Sequence, residues 1–397
     1  MPETLTTQQT IEMFDKYVVA NYGRLPVVLV RGEGSYVWDA DGKRYLDLFS
    51  GWAVTSLGHC HPKLVAAVRE QVGTLIFMAN HLYTQPQGRL AKLLSETSFG
   101  GKCFFCNSGA EAIEAALKLA RLHTAKEKYK VLTFEDSFHG RTFGAISATA
   151  QSKYHQGFQP LLAGFEYLPL NDLDAVRGAA DDETCGILVE PIQGEGGVNL
   201  CTREFLQGLR DLCDERGMVL IFDEVQTGVG RTGKMFAYQH TGVVPDMMTL
   251  AKHLGGGVAI GALVAKPEVA ASMKPGTHAS TFGGNCVAAA AGCAVIQTIL
   301  EDGLLDNANE VGGYAVAKLR ELQQRQPKIR QVRGLGLMIG IELAQSGAEV
   351  FKACLAKGLL INCTHDTVLR FMPPLTVARE EIDEGLAILA AALEEVE

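Results

Sequence analysis

The sequence lacks the features that characterise several large classes of protein. It carries a net charge of −9 over 397 residues and has no basic run or arginine-rich face, so nucleic acid is not an expected partner. The N-terminal segment contains acids and no apolar core, which predicts no signal peptide. The longest apolar stretch, 288–300, is too short to span a bilayer. We therefore expect a cytoplasmic protein without a membrane partner.

The ten cysteines do not have the spacing of a disulfide framework, which indicates reduced thiols. One close pair, Cys103 and Cys106, raises the question of a metal or redox site. A zinc site would require a second pair or histidines at ligand spacing. The surrounding segment KCFFCNSG instead favours a buried strand, so we predict no metal site.

Short apolar segments alternate with helical patterns over much of the chain. This alternation predicts the α/β class, with a doubly wound and mostly parallel sheet. We expect a large domain over 51–305. A small α+β domain would combine the N-terminal segment 1–50, which has a hairpin signal at Asp41-Gly42, with residues 306–397.

One segment combines a predicted buried strand with two residues suited to cofactor chemistry. The apolar run 219–222 is typical of a strand buried on both faces, and Asp223 follows it at the carboxyl end, where open α/β sheets bind ligands. Lys252 lies further along, between an apolar run and a glycine cluster. Such a pair suits pyridoxal phosphate, because the lysine can form a Schiff base and the acid can keep the pyridine nitrogen protonated.

Other interpretations of this segment are open at this point. A strand-end aspartate is often a helix cap, and a lysine before glycine is often a solvated helix end. Gly228, Gly230 and Gly233 also have the GxGxxG spacing of dinucleotide sites. That fingerprint requires the glycines directly after the strand, whereas DEVQT intervenes here. The pattern therefore does not favour a nicotinamide cofactor.

A second segment is suited to binding a phosphate. Ser108 and Gly109 follow the predicted strand 103–106 and open a predicted helix. A hydroxyl, close backbone N–H groups and the helix dipole together attract a phosphate dianion. The alternative is a plain strand–turn–helix connection with a serine cap.

Seven segments, taken together, are similar to those of a known family. In chain order they are FFCNSGAEA, FHGRT, VEPIQGEGG, FDEVQTGVGRTG, TLAKHLGGG, STFGGN and VLRFMPPL. They resemble the class III, ornithine-type aminotransferases, and the match covers nearly the whole chain. The resemblance implies a fold-type I transferase with a large domain and a small α+β domain. It also implies pyridoxal 5'-phosphate as cofactor and a homodimer with shared active sites.

The resemblance assigns roles to individual residues. Lys252 is expected to hold the cofactor and move protons, and Asp223 to pair with the pyridine nitrogen, so these two are the predicted catalytic residues. Gln226 is expected to donate to the phenolic oxygen, and Phe138 to stack on the ring. The residues expected at the phosphate are Ser108, Gly109, Ala110 and, from the other subunit of a dimer, Thr281.

The resemblance also predicts how substrates are bound. Arg141 is expected to bind a substrate carboxylate, and Ser280 to contact substrate from the other subunit. Arg370 is expected to bind the α-carboxylate of 2-oxoglutarate or glutamate, with Glu195 covering it when the other substrate is present. Trp52 departs from the family pattern, because ornithine-specific members carry a tyrosine there, which weighs against unmodified ornithine.

Within the family, the end segments GRLPVVLVRGEG and LLINCTHDTVLRFMPPL are closest to members that act on N2-acetyl-L-ornithine. We therefore expect transfer of its distal amine to 2-oxoglutarate, which gives N-acetylglutamate 5-semialdehyde and glutamate for arginine biosynthesis. Alternative donors are succinylornithine, N-succinyldiaminopimelate, ornithine and 4-aminobutyrate. Remoter alternatives are a decarboxylase, an aminomutase or a non-catalytic protein that binds pyridoxal phosphate. The predicted Arg370–Glu195 pair speaks against these remoter classes, because it serves alternating carboxylate substrates.

Overall fold

A seven-stranded sheet forms the centre of the structure, which is a computed structural model that describes residues 5–396. Its strand order is β4-β12-β11-β10-β7-β5-β6. The seven strands, in chain order, are β4 (Lys102–Cys106), β5 (Lys130–Phe134), β6 (Phe165–Leu168), β7 (Thr184–Val189), β10 (Val219–Asp223), β11 (Met247–Leu250) and β12 (Gly261–Ala265). The remaining strands are β1 (Leu29–Glu33), β2 (Tyr36–Asp39), β3 (Arg44–Asp47), β8 (Ile192–Gln193), β9 (Asn199–Leu200), β13 (Ile329–Leu335), β14 (Met338–Leu343), β15 (Leu359–Leu360), β16 (Asn362–Thr364) and β17 (Val368–Phe371).

Helices cover the central sheet and the smaller sheets. They are α1 (Thr7–Tyr17), α2 (Ser50–Ala53), α3 (Pro62–Thr74), α4 (Gln85–Thr97), α5 (Gly109–His123), α6 (Phe143–Ala148), α7 (Leu173–Ala179), α8 (Arg203–Arg216), α9 (Tyr238–Thr241), α10 (Pro267–Ala270), α11 (Cys286–Glu301), α12 (Leu304–Arg325), α13 (Ala348–Ala356) and α14 (Arg379–Glu395). Two short 3-10 helices span Ser152–Tyr154 and Lys252–Gly255. Among residues 5–396 no single helix could cross a membrane, and only the bent pair α11 and α12 reaches the length and composition of a span.

The sheet confirms the predicted α/β class and its mostly parallel character. All neighbouring strands are parallel except that β12 runs antiparallel to both β11 and β4. The reason is the short connection 251–260 between β11 and β12. A parallel return would need a crossover of a dozen or more residues. This short connection carries Lys252.

Strand β10 is buried on both faces, as its continuous apolar run predicted. Leu220 and Phe222 pack into one hydrophobic cluster, and Val219 and Ile221 pack into another. Side chains alternate across a strand, so the two clusters lie on opposite faces of the sheet. Buried hydrophobic contacts thereby fix the end of β10, where Asp223 is positioned.

Two smaller sheets lie outside the central sheet. The first has the order β1-β2-β3-β15, and the second has the order β13-β14-β17-β16. Because β15 pairs in parallel with β3, the C-terminal part of the chain completes the N-terminal sheet. The domain boundaries at residues 50 and 305 stay predictions.

Some sequence predictions of single elements were wrong. The largely apolar segment 359–362 has the pattern of one strand, but it is divided between β15 and β16, which belong to different sheets. The chain changes sheets at Ile361, which is buried. The long helix α12 was not predicted. Met13, Phe14 and Tyr17 have helical spacing, and the N-terminal helix spans Thr7–Tyr17. Residues 1–4 lie outside the described residues.

Candidate active site

A cavity of about 380 Å³ lies at the carboxyl ends of the central strands. It is lined by segments that directly follow β4, β7, β10 and β11, and by the loop after β5. In open α/β sheets this edge is the usual ligand site. Eight of the twelve residues predicted from the sequence line it, namely Ser108, Gly109, Ala110, Phe138, Glu195, Asp223, Gln226 and Lys252.

Asp223 is a buried carboxylate held by three hydrogen bonds. Its Oδ2 lies 2.7 Å from Nδ1 of His139. Its Oδ1 accepts from the N–H of Val225 at 3.0 Å and from the hydroxyl of Thr249 at 3.2 Å. An ionised carboxylate can only accept, so Nδ1 of His139 carries a proton. These contacts fix the direction of the carboxylate inside the protein.

Lys252 begins the 3-10 turn after β11 and has a left-handed backbone, with φ of 39°. Such a conformation is strained for a residue with a side chain and often marks a functional position. Its amine forms no hydrogen bond or ion pair with any residue in 5–396. Burial lowers the pKa of Lys252, and the nearby charge of Arg370 lowers it further while Glu195 opposes this. A larger neutral fraction makes the amine a better nucleophile.

The N-terminus of α5 forms one end of the cavity. The first N–H groups of a helix have no acceptor within the helix, and the Ser108 hydroxyl accepts only that of Glu111 among them. The N–H groups of Gly109 and Ala110 therefore stay available beside the cavity that both residues line. A Cβ at Gly109 would lie 2.9 Å from Cγ1 of Val225, so this close packing requires glycine. The arrangement suits a phosphate group.

Arg370 on β17 is fully buried and paired with Glu195. Its Nη1 and Nη2 donate to the two carboxylate oxygens at 2.8 and 3.1 Å. Its Nε donates to the side-chain oxygen of Asn362 at 2.7 Å. Burial would raise the pKa of Glu195, but the charge of Arg370 outweighs it and the pKa is lowered. The pair is therefore ionised and bidentate.

The loop that carries Glu195 is packed closely against Gln226. A Cβ at Gly194 would lie 1.7 Å from Oε1 of Gln226, so any other residue there would displace the Gln226 side chain. Gln226 also donates to Glu195 at 3.4 Å. Arg370 donates to the Gly194 carbonyl at 3.0 Å. The loop and the arginine thus form one hydrogen-bonded unit at the cavity wall.

Four of the predicted site residues do not line this cavity. Arg370 lies behind Glu195, as described above. Arg141 is exposed, and its guanidinium stacks 4.0 Å from the ring centre of Tyr154. Ser280 Oγ accepts from the N–H of Gly283 at 3.1 Å and from the side-chain amide of Asn107, which lines the cavity, at 3.3 Å. Ser280 therefore contacts the cavity wall of its own chain, whereas Thr281 is exposed and does not line this cavity.

The family profile described as Aminotransferase class-III matches residues 17–393. The chain belongs to the class III aminotransferases. It is 53% identical over 386 residues to the acetylornithine aminotransferase of Caldanaerobacter subterraneus subsp. tengcongensis, covering 96% of this chain and 98% of that protein. It is 50% identical to the acetylornithine aminotransferase of Methanocaldococcus jannaschii, covering 99% of this chain and 98% of that protein.

Solved structures of class III aminotransferases have the same fold. The ornithine aminotransferase of Toxoplasma gondii superposes with a TM-score of 0.93 at 33% identity, covering 98% of this chain and 94% of that chain. Its reported structure has partial occupancy of PLP at the active site. The acetylornithine aminotransferase of Elizabethkingia anophelis superposes with a TM-score of 0.88 at 32% identity, covering 99% of this chain and all of the other. These likenesses confirm the predicted family and fold-type I architecture.

Sequence reasoning missed two buried groups of this aminotransferase site. One is His139, the partner of Asp223, which follows Phe138 directly in the chain. The other is Glu190, which accepts from the N–H groups of Phe138 at 3.0 Å and Gly194 at 3.2 Å. Burial raises the pKa of Glu190 to about 7. Glu190 follows β7 directly, so the strand-end signal that identified Asp223 could also have identified this residue.

A strained turn lies next to the same cavity. All four residues of α2, including Trp52, have positive φ values between 52° and 61°. A left-handed turn of this kind costs about 1–2 kcal/mol per residue that carries a Cβ. Asp47 stabilises it by accepting from the N–H groups of Phe49 and Ser50 at 3.0 and 2.8 Å. The turn leaves Trp52 half exposed, close in sequence to Val54 of the cavity wall.

Proposed function

We propose that this class III aminotransferase transfers the distal amino group of N2-acetyl-L-ornithine to 2-oxoglutarate, using pyridoxal phosphate. The products are N-acetylglutamate 5-semialdehyde and glutamate, and the reaction belongs to arginine biosynthesis. The observation that carries the proposal is the cavity that joins Lys252 and Asp223 to the Arg370–Glu195 pair. The names of relatives that are about half identical over nearly their full length support the choice of donor.

The residues of the cavity fit pyridoxal phosphate at each of its polar groups. Lys252 has an unpaired amine for the aldehyde, and Asp223 is a buried carboxylate for the pyridine nitrogen. The N–H groups of Gly109 and Ala110 suit the phosphate, and Phe138 provides an aromatic surface. A volume of about 380 Å³ is in the range of small-molecule sites.

Lys252 and Asp223 have complementary tasks in this proposal. When bound, pyridoxal phosphate supplies an electron sink for the carbon that loses a proton. The amine of Lys252 removes that proton from the carbon that bears the reacting nitrogen, and its lowered pKa favours the neutral form that can accept it. Asp223 holds a positive charge on the ring nitrogen, and His139 holds Asp223 in place. Hydrogen bonds already orient both carboxylate oxygens of Asp223, so the side chain needs little reorganisation during the reaction.

The Arg370–Glu195 pair allows one site to accept two unlike substrates. N-acetylornithine enters by its distal amine, and that end has no carboxylate for Arg370. Glu195 then forms an ion pair with the buried guanidinium of Arg370, because an unpaired buried charge would strongly destabilise the enzyme. Glutamate and 2-oxoglutarate enter by the end that carries an α-carboxylate, which replaces Glu195 on Arg370. The glycines on both sides of Glu195 permit the loop to move.

Arg141 suits the far end of the donor. Its guanidinium stacks on Tyr154 and forms no ion pair with any residue in 5–396. An arginine without an acidic partner is ready to bind a carboxylate. We assign it the α-carboxylate of N-acetylornithine, which lies at the opposite end of the ornithine chain from the reacting amine.

We propose that the protein is a cytoplasmic homodimer. Residues 75–83 expose several large apolar side chains, and Phe282 beside Thr281 is 60% exposed. The exposed members of the first segment are Leu75, Ile76, Met78, Leu82 and Tyr83. Exposed apolar patches of this kind mark protein interfaces. In the dimer, Ser280 and Thr281 would complete the site of the partner subunit.

A donor panel tests the proposed function. Purified protein loaded with pyridoxal phosphate is given 2-oxoglutarate and each candidate donor, and glutamate formation is measured. We expect the highest kcat/KM with N-acetylornithine. A higher value with unmodified ornithine, N-succinyldiaminopimelate or 4-aminobutyrate would replace the proposed donor. Absence of glutamate with every donor would refute the aminotransferase mechanism.

A further inference from the structure

A second cavity of about 150 Å³ lies near the first one. Its lining residues are Arg141, Phe143, Ile146 and Phe158. Aromatic side chains lie between the two cavities. Phe138 of the main cavity packs edge-to-face on Tyr154, with ring centres 5.5 Å apart. The Arg141 guanidinium lies 4.0 Å from the centre of the same Tyr154 ring. Arg141 thus connects the second cavity to the wall of the first.

The second cavity has one charged group and three apolar walls. Among residues 5–396, Arg141 is the one charged residue that lines it. Phe143 and Ile146 belong to the short helix α6, and both Phe143 and Phe158 are exposed at the mouth of the cavity. Lys153 also stacks on Tyr154 but does not line the cavity. A ligand here would meet one cation and otherwise hydrocarbon.

The chemistry of an acylated amino acid matches this combination of one cation and three apolar walls. Its α-carboxylate and its acylated α-nitrogen are attached to the same carbon. If Arg141 holds the carboxylate, the acyl group must lie beside it, against the apolar walls. We propose that this cavity binds the acyl group of the donor, and that Phe143, Ile146 and Phe158 select an uncharged acyl group. The proposal rests on the proposed function.

Charge favours an acetyl group over a succinyl group. The cavity of about 150 Å³ has room for either acyl group, so volume does not separate them. The succinyl group ends in a second carboxylate, which would be placed against Phe143, Ile146 or Phe158 without a cation. Phe143 and Phe158 are exposed, so this carboxylate would lose part of its hydration without gaining a cation, which is unfavourable.

Substitution of Phe158 tests this selection directly. We compare kcat/KM for N-acetylornithine, N-succinylornithine and unmodified ornithine in the wild type, F158A and F158K. F158A removes an apolar wall and admits water, so the preference for acetyl over succinyl should fall about tenfold, within the range for changes of a few groups in a pocket. F158K supplies a cation and should raise the relative value for N-succinylornithine by about tenfold or more. The value for unmodified ornithine should change less than twofold.

The matched control is F14A, which removes another exposed phenylalanine, on α1. It should leave all three donors unchanged. An unchanged acetyl-to-succinyl ratio in both Phe158 variants would overturn the proposed subsite, as would a wild type that prefers N-succinylornithine. If the wild type used neither acylated donor, the proposed function itself would fail, so the two failures are distinguishable. Phe158 is half exposed, so these variants are expected to fold.

Discussion

Removal of the carboxylate that covers Arg370 should affect the two half-reactions in opposite directions. Glu195 contacts a guanidinium that is fully buried, at 2.8 and 3.1 Å. Loss of one partner from a buried pair typically costs about 3–5 kcal/mol. Arg370 keeps the acceptors Asn362 and Gly194, so we expect the lower end, about 3 kcal/mol. That energy corresponds to about a hundredfold in rate, at ~1.4 kcal/mol per decade.

The hundredfold effect should appear in the ratio between the two substrates. With N-acetylornithine bound, nothing replaces the lost carboxylate, so Arg370 stays uncovered in E195A. With glutamate bound, its α-carboxylate covers Arg370 and no longer has to displace Glu195. The ratio of kcat/KM for N-acetylornithine to that for glutamate should therefore fall by about a hundredfold.

Single-turnover rates with each donor on the loaded enzyme measure this ratio. E195Q should lie between E195A and the wild type, because the amide keeps one acceptor but loses the charge. E310A is the matched control, since Glu310 is exposed and lies 3.9 Å from Arg379. Equal losses for both donors in E195A would refute the reasoning and leave the Arg370–Glu195 pair a purely structural one.

Four further outcomes follow from other parts of the structure. K252A should fold normally by circular dichroism yet lose all transamination; any normal turnover would transfer the role of Lys252 to another residue. D223N should lower kcat about a thousandfold, a loss of ~4 kcal/mol, and a near-wild-type rate would remove Asp223 from the mechanism. Arg231 is fully buried and donates to His253 and to two backbone carbonyls, so R231M should lower the free energy of unfolding by about 3 kcal/mol in denaturant titration; a loss below about 1 kcal/mol would contradict this. Burial raises the pKa of Glu190 from an ordinary 4.5 to about 7. The protonated carboxyl stabilises the fold fully at pH values below 4.5, and this stabilisation is lost as the pH rises through 7. The Tm of E190Q should therefore fall less than that of the wild type between about pH 5 and pH 8; parallel Tm curves would contradict this.

Strand positions in the central sheet could be predicted because they depend on local apolar runs. The run before Asp223 is buried on both faces, and such burial leaves a clear pattern. The edge strand β6 was not predicted, because its pattern is mixed and it is only partly buried. Helix α12 was not predicted either, since two adjacent glycines, Gly312 and Gly313, interrupt its pattern.

The chemical roles in the site could be predicted only in part. Lys252 and Asp223 have a local signal, because each follows an apolar strand. The contact between Glu195 and Arg370 joins residues far apart in the sequence, so only the family resemblance suggested it. The contact between His139 and Asp223 was missed for the same reason, since no local pattern connects them. Conformational strain at Lys252 and in α2 has no sequence signature, because the residues there are not glycine.

The most direct test of the proposed function follows one nitrogen atom. N-acetylornithine labelled with nitrogen-15 at its distal amine is incubated with the loaded enzyme and 2-oxoglutarate, and the glutamate is analysed by mass spectrometry. The proposed mechanism predicts that the label appears in the amino group of glutamate, and that K252A transfers none. Formation of the semialdehyde with unlabelled glutamate, or transfer of label by K252A at the wild-type rate, would contradict it.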